Sequence, residues 1–370
     1  MTTPDRAALL PVLDDLAAAV EDVVATGLTS ASQATLQRLD VSFREASRLK
    51  LGRLAASLRY VNEEIARHLR HADDFSAWRL SLFLNRSWVL ARGLAHAART
   101  GDDDAWRRLT WSPAPEPLGA VEVVCLGVRK RTTRVSGSFD FAFREVGGPR
   151  HFVWSLVFSR ESAAVPPETQ LHTRPKNVPP SAVFEPSLFT EAAPVTFAGW
   201  SLVPDGRGGG RLWPAAGATV TAGKRADWAA LLEGLRWDCA AAVARARAHD
   251  AGPLDLPVEL QEDVVLREWT VGAPVDRGRP GVVVYPMVAD GLEIDAVVST
   301  QEDGRALRTA LDELRKAKAR PPLVGLLHSD LCRLVLEPLS LLRPAGPEHL
   351  MLAKELGDKR AMVRDLFSRG

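Results

Sequence analysis

The chain has 370 residues, 46% of them apolar and 25% charged, and a net charge of +1. That length exceeds one ordinary core and predicts two or three domains, and the composition excludes intrinsic disorder. The balanced charge excludes a global field that would gather nucleic acid, membrane or acidic substrates, so any such partner needs a local patch.

Helical periodicity comes first. Pro4 and Asp5 suit a helix start, and Leu9, Val12, Leu13, Leu16, Val20 and Val23 follow at helical spacing up to Gly27, a natural stop. A second helix opens near Ser32 with Leu36, Leu39 and Phe43 inward. A third carries Leu51, Leu54, Leu58, Val61, Ile65 and Leu69. Asp73 or Asp74 caps a fourth through Phe75, Trp78, Leu82 and Val89. Amphipathic helices on short connections predict an antiparallel bundle over residues 1–110.

Pro113, Pro115 and Pro117 then exclude a helix and favour an extended linker over 111–118. From Val121 the period becomes that of a strand. Phe139, Phe141 and Phe143 alternate with Asp140, Ala142 and Arg144, and Phe152 to Phe158 returns beyond the Gly147-Gly148-Pro149 turn. Val195 to Val203 and Arg211 to Val220 form a hairpin across a Gly-rich tip, with a Pro-rich excursion from Pro166 to Pro186 before it. A central antiparallel domain, a small barrel or curled sheet, is therefore expected at 119–224. Residues 225–370 mix a helical stripe from Trp228 to Cys239, a hairpin around Asp290-Gly291, a basic helix near 304–319, paired strands around Ser329-Asp330 and a final helix over 347–368. The fold class is α+β and multi-domain.

Enzyme signatures fail on their spacing. Gly217 to Lys224 has one residue too many for a phosphate-binding loop, and Arg225 stands where the hydroxyl belongs. Gly206 to Gly210 lacks the strand and helix that a dinucleotide fingerprint needs. His68 and His71 share a helix face without a third ligand, and Cys125, Cys239 and Cys332 form no pair, so no metal and no cofactor is expected. His151 stands alone without a catalytic partner. A third class of function is an enzyme whose site is assembled from residues distant in sequence.

The positive signal is basic. Arg129, Lys130, Arg131 and Arg134 follow the apolar run from Val121, with no acid between Glu122 and Asp140. Arg129 and Arg131 point the same way on a strand and could track phosphates, with Trp154 and Phe139 on neighbouring strands for stacking. Residues 41–99 add eleven Lys/Arg against five Asp/Glu. The structural alternative is an edge strand guarded by charge against aggregation.

A family resemblance rests on Gly27-Leu28, on Leu49 to Ala55, and on the helix through Trp88. It continues over Gly127-Val128-Arg129 to Trp154, Trp200 to Val203, and Arg211-Leu212-Trp213. Together these resemble the non-finger regions of bacterial SWIM-type zinc-finger proteins, and their finger-less companions encoded near MoxR-type ATPases and von Willebrand factor A-like proteins. The chain has no Cys-x-Cys and no Cys-x-His, so the finger's zinc function does not carry over. The resemblance implies a non-enzymatic adaptor in a bacterial multi-protein system of the conflict or defence kind, partnered by such an ATPase or A-like protein. The alternative is a nucleic-acid-binding protein using the central domain. With no secretory signal and no apolar run of membrane-spanning length, a cytoplasmic location without membrane contact is expected.

Overall fold

The computed structural model describes residues 6–72, 75–110, 115–132, 136–159, 165–175, 184–204, 209–224, 226–235, 243–244, 261–278, 281–301, 304–330 and 333–352. Two compact units emerge: one built on residues Met1–Pro113, the other on the strands that follow.

The first unit is helical. It runs α1 (Leu10–Thr26), α2 (Gln33–Arg48), α3 (Gly52–Leu69), α4 (Ala77–Thr100) and α5 (Asp103–Thr110). Leu13, Leu16, Val20, Leu39, Leu58, Val61, Ile65, Leu90 and Leu94 form its core, at the spacing their periodicity predicts. Glycines at positive φ stop two helices, Gly27 (φ 71°) after α1 and the left-handed Gly101 (φ 69°) after α4. Ser76 caps α4, accepting from the Arg79 N–H at 3.3 Å; the expected capping residues Asp73 and Asp74 lie outside the described residues. Glu64 is buried and accepts from the Ser76 N–H (3.0 Å), Arg67 (2.6 Å) and Arg79 (2.9 Å), tying α3 to the start of α4.

The second unit is built from β1 (Glu116–Pro117), β2 (Val121–Thr132), β3 (Ser136–Glu145), β4 (His151–Ser159), β5 (Val195–Pro204) and β6 (Gly210–Ala222). Next come α6 (Trp228–Gly234), β7 (Glu262–Leu266), β8 (Trp269–Val271), β9 (Val282–Ala289) and β10 (Leu292–Ser299). α7 (Arg305–Lys316), β11 (Leu323–Asp330), β12 (Arg333–Arg343) and β13 (Gly346–His349) complete it. β2, β3 and β4 form a meander. β5 pairs antiparallel with β2 and with β6, and β6 closes the ring by pairing parallel with β4. Counting from β2, the ring order is 1-2-3-5-4-1, the topology of the OB-fold.

The same ring occurs again. β8, β9 and β10 form a meander, β12 runs parallel to β10, and β11 pairs antiparallel with β12 and β7. Only Arg267 and Glu268 separate β7 from β8, so these half-strands act as one bent first strand that meets both neighbours. α7 lies between strands three and four of this second barrel and buries Leu307, Leu311 and Leu314 in its core. In the first barrel the same connection carries short 3-10 turns at Pro167–His172 and Pro186–Thr190. They press Leu171 and Phe189 onto Phe141, Phe143, Trp154 and Phe197.

Three expectations are revised. The sheets are not wholly antiparallel, because each ring closes through one parallel pair. Glu116–Pro117, expected within an unpaired linker, is a short strand on β5, and the Leu118 N–H donates to the Trp200 carbonyl at 2.8 Å. Gly346–His349 pairs with β12 instead of opening a helix; residues 353–368 lie outside the described residues.

The two barrels share a packed seam along β2. Ser340 donates its hydroxyl to the Leu126 carbonyl, and Leu339 fills the space that a side chain at Gly127 would occupy. Val124, Leu126, Trp228, Val324 and Leu342 form a small apolar cluster there.

Candidate nucleic-acid interface

Alternation decides which side chains reach the outside of the first barrel. Phe139, Phe141, Phe152, Trp154 and Leu156 point inward and are buried, so Ser138, Asp140, Ser155 and Val157 point outward. Register then aligns the outer face in rows. Arg131 stands opposite Ser138, and Ser138 opposite Val157. Arg129 stands opposite Asp140, and Asp140 opposite Ser155; Val153 lies beside Arg211 of β6.

The basic run from Arg129 divides along these rows. Arg129 is buried against the second barrel, where it pairs with Glu337 and donates to Gln261 at 2.7 Å. Lys130 is held by Glu168 at 2.8 Å, with both side chains almost wholly covered. These two cations neutralise internal carboxylates and are not offered to a phosphate. Arg131 is exposed. Arg134 lies outside the described residues. Trp154 is a core residue, stacked on Phe141 and edge-on to Phe189 and Trp200, so its ring is not a stacking platform. Its alternation with Phe152 and Leu156 was the signal that it faces inward.

The aromatic that does face out is Trp213, 62% exposed on β6 between inward Leu212 and Pro214. Two residues before it, Arg211 donates to the Ser155 hydroxyl at 2.7 Å, and that hydroxyl donates to the Asp140 carboxylate. Val157 is a further exposed apolar residue on this face, also at 62%. β2, β3, β4 and β6 are consecutive in the ring, so the rows of Arg131 and Arg211 belong to one continuous run of paired strands. Polar residues, one apolar side chain and one exposed indole lie between and beside two arginines. Such a surface can stack bases, hold phosphates and hydrogen-bond base edges.

Among the described residues no competing reaction centre stands out. Cys125 is buried at the β2 bulge, donates to the Gly127 carbonyl, and has its thiol pushed up to about 12 by burial. Gly217 to Ala222 continues β6 and forms no phosphate-binding loop. Among the described residues no three His, Cys, Asp or Glu side chains cluster at metal-binding distance. No described helix is long and apolar enough to cross a membrane.

No protein-family model matches the chain, and no curated protein matches it in sequence. Solved structures with partial likeness include the p202 HIN1 domain in complex with a 12-mer double-stranded DNA, 11% identical with a TM-score of 0.29, covering 61% of this chain and 92% of that one. The tetrameric p202 HIN2 domain is 11% identical at a TM-score of 0.28, covering 61% and 91%. Likeness of this size carries no argument about function.

Proposed function

We propose that the protein is a non-catalytic binding protein whose first barrel takes single-stranded nucleic acid on the outer face of β2, β3, β4 and β6. The observation that supports this best is Trp213, exposed on that face beside Arg211. An exposed indole offers a flat face on which any base can stack. OB-type barrels use this face and its flanking loops for oligonucleotides. In sequence, Arg134 falls between β2 and β3 and Arg207 between β5 and β6.

The test is fluorescence anisotropy of a labelled single strand at two salt concentrations. Trp213→Ala is expected to weaken binding by about 1–3 kcal/mol, the range of one lost base stack. Arg131→Ala and Arg211→Ala are each expected to lower the salt slope by about 0.7, the value for one phosphate contact on a single strand. Wild-type protein with no salt-sensitive affinity would overturn the reading.

A second reading, an adaptor that docks another protein, is favoured by the helical unit. Trp78 and Trp88 stand 52% and 42% exposed on α4, with exposed Ser81 and Asn85 between them. On the family resemblance, the partner under this reading is a MoxR-type ATPase or a von Willebrand factor A-like protein. Copurification of such a partner, lost in a Trp78→Ala/Trp88→Ala protein, tests it.

A further inference from the structure

The two barrels carry the same arginine at the same place in their topology. Strand five of the first barrel is β6, and its Arg211 is paired with Val153 of strand three. Ser155, which Arg211 touches, lies two residues past that pairing position. Strand five of the second barrel is β12, which opens on Arg333. Asp295 of strand three is paired with Val335, two residues past Arg333, and Arg333 donates to it at 3.2 Å. The register offset is identical, so Ser155 and Asp295 occupy equivalent positions.

What surrounds that position differs between the barrels. In the first, the position is a hydroxyl, Asp140 stands one strand further away, and Trp213 is exposed two residues beyond the arginine. In the second, the position is a carboxylate, nearly buried and also bound by Arg277 at 3.3 Å. Pro286 replaces Asp140 as its cross-strand neighbour, and Val335, in Trp213's place, is 3% exposed. A hydroxyl orients a guanidinium without cancelling its charge, whereas a carboxylate in direct contact neutralises it.

We infer that Ser155 is the positioning residue that keeps Arg211 available to a phosphate, and that the second barrel, with Asp295 in that position, takes no strand. This rests on the nucleic-acid reading of the first barrel and specifies which residue admits the ligand. One strand per chain follows.

The experiment uses the full chain and a labelled oligodeoxythymidine of about 12 nucleotides, within the site size of one such barrel. Ser155→Asp is expected to weaken binding about tenfold and to lower the salt slope by about 0.7; Ser155→Lys is expected to strengthen binding and steepen it. Misfolding would weaken binding in both variants, so the opposite signs separate charge from structure. Arg333→Ala is expected to bind as wild type, at one oligonucleotide per chain. Wild-type binding that Ser155→Asp leaves intact, loss in both Ser155 variants, or loss in Arg333→Ala would each overturn the inference alone. Absence of wild-type binding would instead remove the nucleic-acid reading, and this inference with it.

Discussion

Arg129 and Arg131 lie two residues apart on one strand, and their surroundings give them different work. Arg129 is sealed against Glu337, so Arg129→Ala would strand a carboxylate in the seam between the barrels. Glu337 keeps 23% of its side chain exposed and recovers part of its hydration, so a loss of about 1–3 kcal/mol and a lowered melting temperature are expected by differential scanning calorimetry, while Arg131→Ala melts like wild type. His349 is the second residue of consequence. Both its ring nitrogens are buried without a partner among the described residues, on the strand position opposite Ser340, and burial pulls its pKa down from 6.5 to about 4. The unfolded chain therefore binds the proton more readily. Stability is full above about pH 6.5 and is lost as the pH falls toward 4, by about 3 kcal/mol in total. Urea titrations from pH 7 to pH 4 check this, and His349→Phe is expected to flatten that part of the profile.

At the scale of elements, β2 carries the architecture. Its inward residues Val121, Val123, Cys125 and Val128 line the first barrel, while Val124 and Leu126 pack in the seam with the second. A bulge between Cys125 and Gly127 reverses which residues face which barrel, and Gly127 has no side chain because Leu339 occupies that space. Gly127→Val would place atoms within 2.6 Å of Leu339 Cβ before relaxation. Overpacking of this kind costs about 1–3 kcal/mol, which thermal unfolding of the variant measures. Much of this level was legible in the chain. The alternating Phe139, Phe141 and Phe143 specify a half-buried strand, and Asp290-Gly291, both at positive φ, specify the β9–β10 hairpin. The parallel closures were not legible, because β4 and β6 meet only after a long excursion that no local period encodes. The roles of Arg129 and Lys130 were hidden likewise. Their carboxylate partners, Glu337 and Glu168, lie 208 and 38 residues further along the chain.

Over the whole molecule, the pattern is one helical unit and one unit of two barrels joined along β2. Three hydrophobic cores of comparable size, those of the bundle and of each barrel, explain why 370 residues need no single large interior. The barrels differ from the bundle in how they are coupled. Ser340 on Leu126, Arg129 on Glu337 and the Trp228 cluster tie the barrels to each other, so neither is expected to survive alone. The bundle's core closes on its own residues, from Leu9 to Ala95, with α5 packed against it by Trp106 and Leu109. A fragment of residues 1–113 is therefore expected to be helical by circular dichroism and to melt cooperatively, which the burial of its apolar stripes alone sustains. Residues 114–370 are expected to keep single-strand affinity within a factor of about three of the full chain, since every residue of the proposed face belongs to the second unit. A fragment 1–113 without a cooperative transition would mean that the bundle depends on the rest of the chain. Loss of affinity in 114–370, with its β-rich circular dichroism intact, would place part of the binding surface on the helices. The adaptor reading would then gain the Trp78 and Trp88 face as a nucleic-acid contact instead of a protein one.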